Sequence, residues 1–380
     1  MKKILVLTDD MPWGHRSIAK AIYGYLKEKE KENNYEVELR EIKANIGIGG
    51  DVYTFAYRYF PRSHRMVHAF SKKKITRDLM EDVSGVNLPR IKKEVEKIKP
   101  DLIISSYFFH SYSLARWKKK HDEKFKLWSV VTDPWTINPI SFVKEADLNI
   151  VYDDVSLREG LNCGLNKDEM KITGWWTRMN MYQKYNYKEE RKKLGFDDDR
   201  PVIFVGGGSL GTSSLPKLLP TILTLDQKVG FVINTGTDRL AYNLINQFQK
   251  MFLRLRKGDD TVIIKHLGWI ENMAEVLSAC DMVFGKAGPN FLFDVIATEK
   301  PFVAITHIGG QEDGNIDIIK KKKLGWIKEK NGEISDFLYD YLKNPKYFEK
   351  KYSKNIKIEA LRNQKTLPMV LEMVKKELNI

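Results

Sequence analysis

Three stretches of this 380-residue chain hold side chains that could move a proton or hold a phosphorylated ligand. The first is Gly14-His15-Arg16, which follows the apolar run 4–7 and the polar turn Thr8-Asp9-Asp10. An imidazole has a pKa near the ideal for taking a hydroxyl proton at neutral pH. A lone histidine also serves as a surface or structural residue. What favours a base is its place after a first strand, where open α/β sheets bind ligands. The second stretch is Thr132-Asp133-Pro134-Trp135, after the apolar run 127–131. Asp133 suits orienting a histidine or an acceptor, and equally a turn or helix cap. The third, residues 282–315, reads strand, turn, helix, strand, glycine-rich loop. Its Gly288-Pro289 pair suits a helix start, because Pro is pre-set for the first helical position. Free backbone N–H groups at such a start can hold a phosphate. Gln311, Glu312 and Asn315 in the loop that follows suit ribose or sugar hydroxyls.

The elements that must position these residues follow from hydrophobic patterning. Continuous apolar runs at 4–7, 101–105, 127–131 and 148–152 read as buried parallel strands, with 37–42 as a further strand. A helix over 17–29 presents Ile18, Ile22 and Leu26 on one face. The polar segment 179–187 reads as a linker. Strands then recur at 202–205, 231–234, 262–265, 282–284 and 302–305, separated by helical patterns. Alternating strands and helices mean parallel sheets with right-handed crossovers. The expected architecture is α/β: two Rossmann-like lobes, residues 1–180 and 181–380, with parallel sheets facing across a cleft. The tail 355–378 reads as a helix broken near Pro368.

Composition narrows the partners. The net charge is +14 and hydrophobic residues make up 42%, so a sizeable core is available and acidic surfaces are expected partners: anionic lipid, nucleic acid or phosphorylated ligands. The two cysteines, Cys163 and Cys280, form no disulfide framework or metal spacing. No run approaches the ~20 apolar residues of a spanning helix, and 4–7 is too short for a signal peptide. Residues 52–77 mix aromatics with Arg58, Arg62, Arg65, Lys72, Lys73 and Lys74 and contain no Asp or Glu. That composition suits a membrane surface, with Tyr57 and its neighbours at headgroup level. It also suits stacking on single-stranded nucleic acid, or a helix pair packing its rings on a core. Gly206-x-Gly208-x-x-Gly211 fits the dinucleotide fingerprint formally, but the next strand ends in Asn234-Thr235 rather than an acid. It reads better as a tight glycine loop at the mouth of a cleft. The clusters Asp9-Asp10, Asp153-Asp154 and 197–199 read as caps and solvated loops, and no metal site is expected.

Lys286-Ala287-Gly288-Pro289, an acid six residues beyond Gly288, Pro301, and Gly310-Gln311-Glu312-Asp313-Gly314-Asn315 together resemble the donor-site signature of GT-B glycosyltransferases. The pattern is most similar to the monogalactosyldiacylglycerol synthase and processive diacylglycerol glucosyltransferase family. The resemblance implies a GT-B fold over essentially the whole chain, with a terminal helix that often returns to the first lobe. It implies an inverting transfer of a hexose from UDP-glucose or UDP-galactose to a lipid hydroxyl, most naturally diacylglycerol, with no cofactor or metal. It implies that His15 is the base, supported by Asp133. It implies a donor site at Gly207, Gly208, Ile270, Lys286, Ala287, Gly288, Asn290, Asp294, Gln311, Glu312 and Asn315. Trp13 and the basic aromatic stretch would then face the acceptor and an anionic membrane, at the cytoplasmic face of the cell membrane, and no nucleic acid is expected.

The chain departs from the family pattern at several places. Met11-Pro12-Trp13 stands for small glycines, Asn138 for a His, Asn290-Phe291 for Gly-Thr, Asp294 for a Glu, and Glu299 for a Gly. These departures keep two alternatives open: another acceptor such as a polyprenyl-linked saccharide, or a non-catalytic nucleotide- or membrane-binding protein on the same scaffold.

Overall fold

A computed structural model describes residues 1–11, 14–44, 85–206 and 215–380. The chain divides into two compact units. One comprises Met1–Met179, Ile308–Gly314 and Arg362–Ile380; the other comprises Asn180–His307 and Asn315–Leu361.

In the first unit the apolar runs form the inner strands of a parallel sheet. The elements are β1 (Lys2–Thr8), α1 (Gly14–Lys29), β2 (Tyr35–Glu41), α2 (Leu88–Ile98), β3 (Leu102–Ser105), α3 (Phe108–His121), β4 (Lys126–Val130), β5 (Leu148–Val151), α4 (Asp154–Asn162) and β6 (Met170–Ile172). The strand order is β2-β1-β3-β4-β5-β6, with every pairing parallel. Leu5, Leu7, Ile103 and Leu127 of the sheet pack with Ile91, Val95 and Trp117 of the helices. Each such side chain, fully removed from water, contributes about 1.5–3 kcal/mol. The helix Thr366–Leu378 packs on α1. Just before it, Asn363 Oδ1 accepts from Trp175 N at 3.0 Å, and Thr366 Oγ1 donates to Thr173 O at 2.8 Å. Gly174 lies between them at φ +96°, where a Cβ would sit 2.5 Å from Thr366 Oγ1. Only glycine meets both demands.

The second unit continues with α5 (Tyr187–Lys193), β7 (Val202–Gly206), α6 (Leu215–Thr224), β8 (Val229–Asn234), α7 (Arg239–Leu255), β9 (Val262–Leu267), α8 (Met273–Ser278), β10 (Met282–Lys286), α9 (Pro289–Ala297), β11 (Phe302–Thr306), α10 (Asp313–Lys321), β12 (Gly325–Ile327) and α11 (Asn331–Lys343). Its strand order is β12-β11-β10-β7-β8-β9, again parallel throughout. Ile203, Val205, Phe231, Ile233, Phe284 and Val303 fill its centre.

Two details refine the patterning. The edge strands β6 and β12 are three residues each, too short to leave a pattern. The tail does break near Pro368, at Lys365, between helices Ser353–Gln364 and Thr366–Leu378. Pro368 stands in the first turn of the last helix, where its missing N–H costs nothing.

Two backbone positions test this account. Gly285 pairs with Gly206 across β10 and β7, and a Cβ on Gly285 would lie 2.4 Å from Gly206 O. Gly285→Ala should therefore cost about 2 kcal/mol. Glu299 is held at φ +59°. Its ion pair with Lys184, 2.7 Å, is solvent-facing and contributes little. Glu299→Gly should stabilise the protein by about 1 kcal/mol, since it relieves a left-handed side chain. Denaturant unfolding of both variants checks the pair; a Glu299→Gly midpoint at or below the unmodified one would refute the strain.

Candidate functional site

Each sheet has one place where the connections from adjacent strands leave in opposite directions, and there the carboxyl-end loops leave a crevice. In the first unit it lies between β1 and β3; in the second, between β7 and β10.

At the first crevice, β1 ends in the buried Thr8 and Asp9. The Asp9 carboxylate accepts from Met11 N at 2.6 Å and Ala44 N at 3.0 Å. It is a loop brace, and burial raises its pKa. His15 stands in the first turn of α1, which is tied to β2 by ion pairs from Arg16 and Lys20 to Glu41. Ser106, after β3, donates to His15 O at 2.9 Å and meets Thr8 Oγ1 at 2.9 Å. The His15 ring lies 5.0 Å from the Tyr107 ring, and Tyr107 lies 5.1 Å from the buried His110. His15 Nδ1 is 3.1 Å from Thr132 Oγ1. Burial holds the His15 pKa down to about 4 and that of His110 to about 3, the latter with a further push from His15. Both are neutral at pH 7, so His15 has a lone pair for a proton.

The loop after β4 carries Thr132 and Asp133. Trp135 Nε1 donates to Asp153 at 3.0 Å, which anchors the loop to the start of α4. Residues Ile308–Gly314 belong to this unit. The Gly314 N–H donates to Thr136 Oγ1, and a Cβ at Gly314 would lie 2.4 Å from Thr136 N. Glu312, almost wholly buried, accepts from Ile308 N at 2.7 Å, and Asp313 accepts from Gly310 N at 3.0 Å. The turn therefore holds its own shape while Gln311 stands half-buried between. It brings Glu312 close enough to Asp133 to matter electrostatically. Burial first, and then Glu312, push the Asp133 carboxyl up to about 7. A neighbouring carboxylate thus disfavours the ionised form of Asp133.

At the second crevice, β10 ends at Lys286. The Ala287 N–H donates to Thr306 O at 2.9 Å, and Gly288 caps α9 with no side-chain hydrogen bond to its first turn. Pro289 occupies the first helical turn. The first backbone N–H groups of α9 are the type that binds an anion. Asn290 and Asp294, four residues apart, share one face of α9 and are half-buried. Asn315, buried, donates to Ala287 O at 2.8 Å and braces this turn. Ile270 is half-buried in the loop after β9, beside the exposed Trp269. Asn234 Nδ2 donates to Gly268 O at 2.5 Å in the same loop.

The structure thus gathers His15, Asp133, Gln311 and Glu312 in the first unit. In the second it gathers Lys286, Ala287, Gly288, Asn290, Asp294 and Asn315 around one turn, with Ile270 two strands beyond β7, at the sheet edge. Gly207, Gly208, Trp13, Tyr57, Arg58, Arg62, Arg65, Lys72, Lys73 and Lys74 lie outside the described residues. Sequence reasoning missed Ser106, Tyr107 and His110, which lie in the turn after β3 and the first turn of α3 and carry no glycine signature. It also missed Lys217, a cation inside the apolar run 215–223. Lys217 Nζ donates to Ile305 O at 2.8 Å and Glu329 O at 2.9 Å, and burial lowers its pKa. The acidic clusters are partly accounted for: Asp153 caps α4 and Asp198 pairs with Arg200.

Known proteins share both halves. A family model described as Monogalactosyldiacylglycerol (MGDG) synthase matches residues 15–175. One described as Glycosyltransferase family 28 C-terminal domain matches residues 202–362. The probable chloroplastic monogalactosyldiacylglycerol synthase of Glycine max is 23% identical over 92% of this chain, and the chloroplastic enzyme of Spinacia oleracea is 24% identical over 93%. The chain spans 66% of the length of each of these two relatives, just under two thirds. Among solved structures, Acinetobacter baumannii MurG superposes with TM-score 0.61 at 12% identity, covering 99% of this chain and 100% of its own. Anabaena Alr3699/HepE in complex with UDP-glucose gives 0.60 at 14%, covering all of both chains. These likenesses show the GT-B fold. On that fold the two family models match one after the other, so the chain is similar to monogalactosyldiacylglycerol synthases over its first half and to family 28 glycosyltransferases over its second.

Proposed function

We propose that this protein transfers a hexose from UDP-glucose or UDP-galactose to a lipid hydroxyl, with diacylglycerol as the acceptor, on the inner face of the cell membrane. The observations that carry it are a neutral, oriented histidine at the switch point of one sheet and, at that of the other, a helix start with no side-chain cap. A base and an anion site are the two things such a transfer needs. The matches to the two family models and the UDP-glucose complex of a like-folded protein support the donor class. Among the described residues no helix is long and apolar enough to cross a membrane, which agrees with peripheral association.

In this reading the acceptor oxygen attacks the anomeric carbon as the bond from that carbon to the diphosphate oxygen breaks. UDP leaves with the electron pair, and the configuration inverts. With Nδ1–H donated to Thr132, His15 Nε2 takes the hydroxyl proton. Asp133, when ionised, favours the imidazolium that forms. The start of α9 receives the charge that develops on the diphosphate, Lys286 adds a cation beside it, and Asn315 keeps the turn in place. Asp294 takes the ribose hydroxyls, and Gln311 and Glu312 take the sugar. The glycine loop with Gly207 and Gly208 borders the donor, and Ile270 borders the base. Trp13, Tyr57 and the basic residues between Arg58 and Lys74 meet the lipid surface. No resident metal or cofactor is part of this mechanism.

Release of UDP from each sugar nucleotide, with diacylglycerol in anionic vesicles, tests the reading. Lipid-dependent release should fall about 10²–10⁴-fold in His15→Ala. No release from either donor, despite measurable UDP binding, would sink it.

The pH dependence is a second test. His15, with its pKa lowered, stays neutral above about pH 4 and sets no limit near neutrality. Asp133, with its pKa raised to about 7, ionises only as pH rises through that value. kcat/KM should therefore climb through about pH 7 and level off above it. Glu312→Gln removes one of the two causes of the raised pKa, so the climb should move to lower pH, beyond any change in KM for the donor. A limb that stays put in Glu312→Gln would rule out the coupling.

A further inference from the structure

The helix α7 turns Ala241, Ile245, Phe248 and Phe252 into the second unit. That accounts for one face. A second apolar row, Leu240, Leu244, Met251 and Leu255, recurs at steps of four, seven and four residues, which keeps it on one stripe. These side chains are 78%, 46%, 43% and 69% exposed. Residues 239–257 contain no Asp or Glu. Arg239, Lys250 and Arg254 are all exposed, and they form a row of their own beside the outward leucines. The Tyr242 ring lies against Gly268, whose next neighbour is Trp269, 68% exposed. An aromatic side chain thus stands out from the surface near one end of the helix.

We propose that α7 is a membrane-contact element of the second unit. Its outward leucine row enters the headgroup boundary of an anionic bilayer while Arg239, Lys250 and Arg254 meet lipid phosphates. Trp269 suits the headgroup level. The rival occupant, a second copy of this chain, would set the cationic rows of two molecules against each other in a chain of net charge +14. Like charges so placed oppose association, whereas an anionic surface answers both rows at once. The inference rests on the reading of the acceptor as a membrane lipid, but its test needs no turnover.

The test is co-sedimentation of the full chain with vesicles of phosphatidylcholine alone or mixed with phosphatidylglycerol. Two variants are compared with the unmodified protein: Leu240→Ser with Leu244→Ser, and Arg239→Gln with Lys250→Gln and Arg254→Gln. Thermal melts confirm that both are folded, as exposed positions allow. Each cation near an anionic surface strengthens partitioning about fivefold, so the triple variant should bind the mixed vesicles roughly 100-fold more weakly. The leucine variant should lose about tenfold or more. Unchanged binding of both variants overturns the proposal. So does a lipid-free dimer, seen by sedimentation velocity, that the leucine variant dissociates. Transfer to detergent-dispersed diacylglycerol separates the two readings. If transfer is absent but vesicle binding is lost in the variants, only the enzymatic reading fails. If transfer is present but the variants bind vesicles normally, only the α7 assignment fails.

Discussion

A parallel strand cannot turn back on itself; it needs a crossover, and the crossover must leave from one side of the sheet or the other. Where two neighbours send their crossovers opposite ways, no helix can roof the gap at their carboxyl ends. The chemistry of this chain depends on that constraint. Between β1 and β3 it leaves room for His15, and between β7 and β10 for the bare start of α9. The backbone comes close at the second gap because Gly206 and Gly285 are register partners with no side chain between them. At the first gap, small hydroxyls take over: Thr8, Ser106 and Thr132 link strand ends to the histidine through single hydrogen bonds.

Burial does most of the electrostatic work. It keeps His15 and His110 uncharged, and it raises the carboxyl pKa of Asp9 and, to about 7, that of Asp133. The two aspartates end differently. Asp9 is held by two backbone N–H groups, so its carboxylate is structural. Asp133 faces another acid, which leaves it poised near neutrality. A carboxyl poised there can change charge within one catalytic cycle, and a capped one cannot.

The inner strands were legible because buried parallel strands are unbroken apolar runs, such as 4–7 and 202–205. The Gly288-Pro289 helix start was legible because its residue types answer a backbone need. The edge strands β6 and β12 were not, since three residues carry no period. Thr132 stood beside Asp133 in the sequence, yet which of them meets His15 depends on how β4 ends against α1, and no spacing rule encodes that. The approach of Glu312 to Asp133 joins residues far apart in the chain, through a turn whose glycine at 314 fits against Thr136. Such a contact leaves no local trace. The outward leucine row of α7 was visible as letters, but its exposure was not, because a helical row of Leu normally reads as core.

The first unit is built from three separated pieces of chain, and its last piece, Arg362–Ile380, comes after the whole of the second unit. During synthesis the second unit's residues are therefore all made before the segment that closes the first. Until then the backbone of Thr173 and Trp175 waits for Thr366 and Asn363. Domains fold as units while the ribosome works, so the order of completion here runs against the order of the sequence. The unit begun first is finished last.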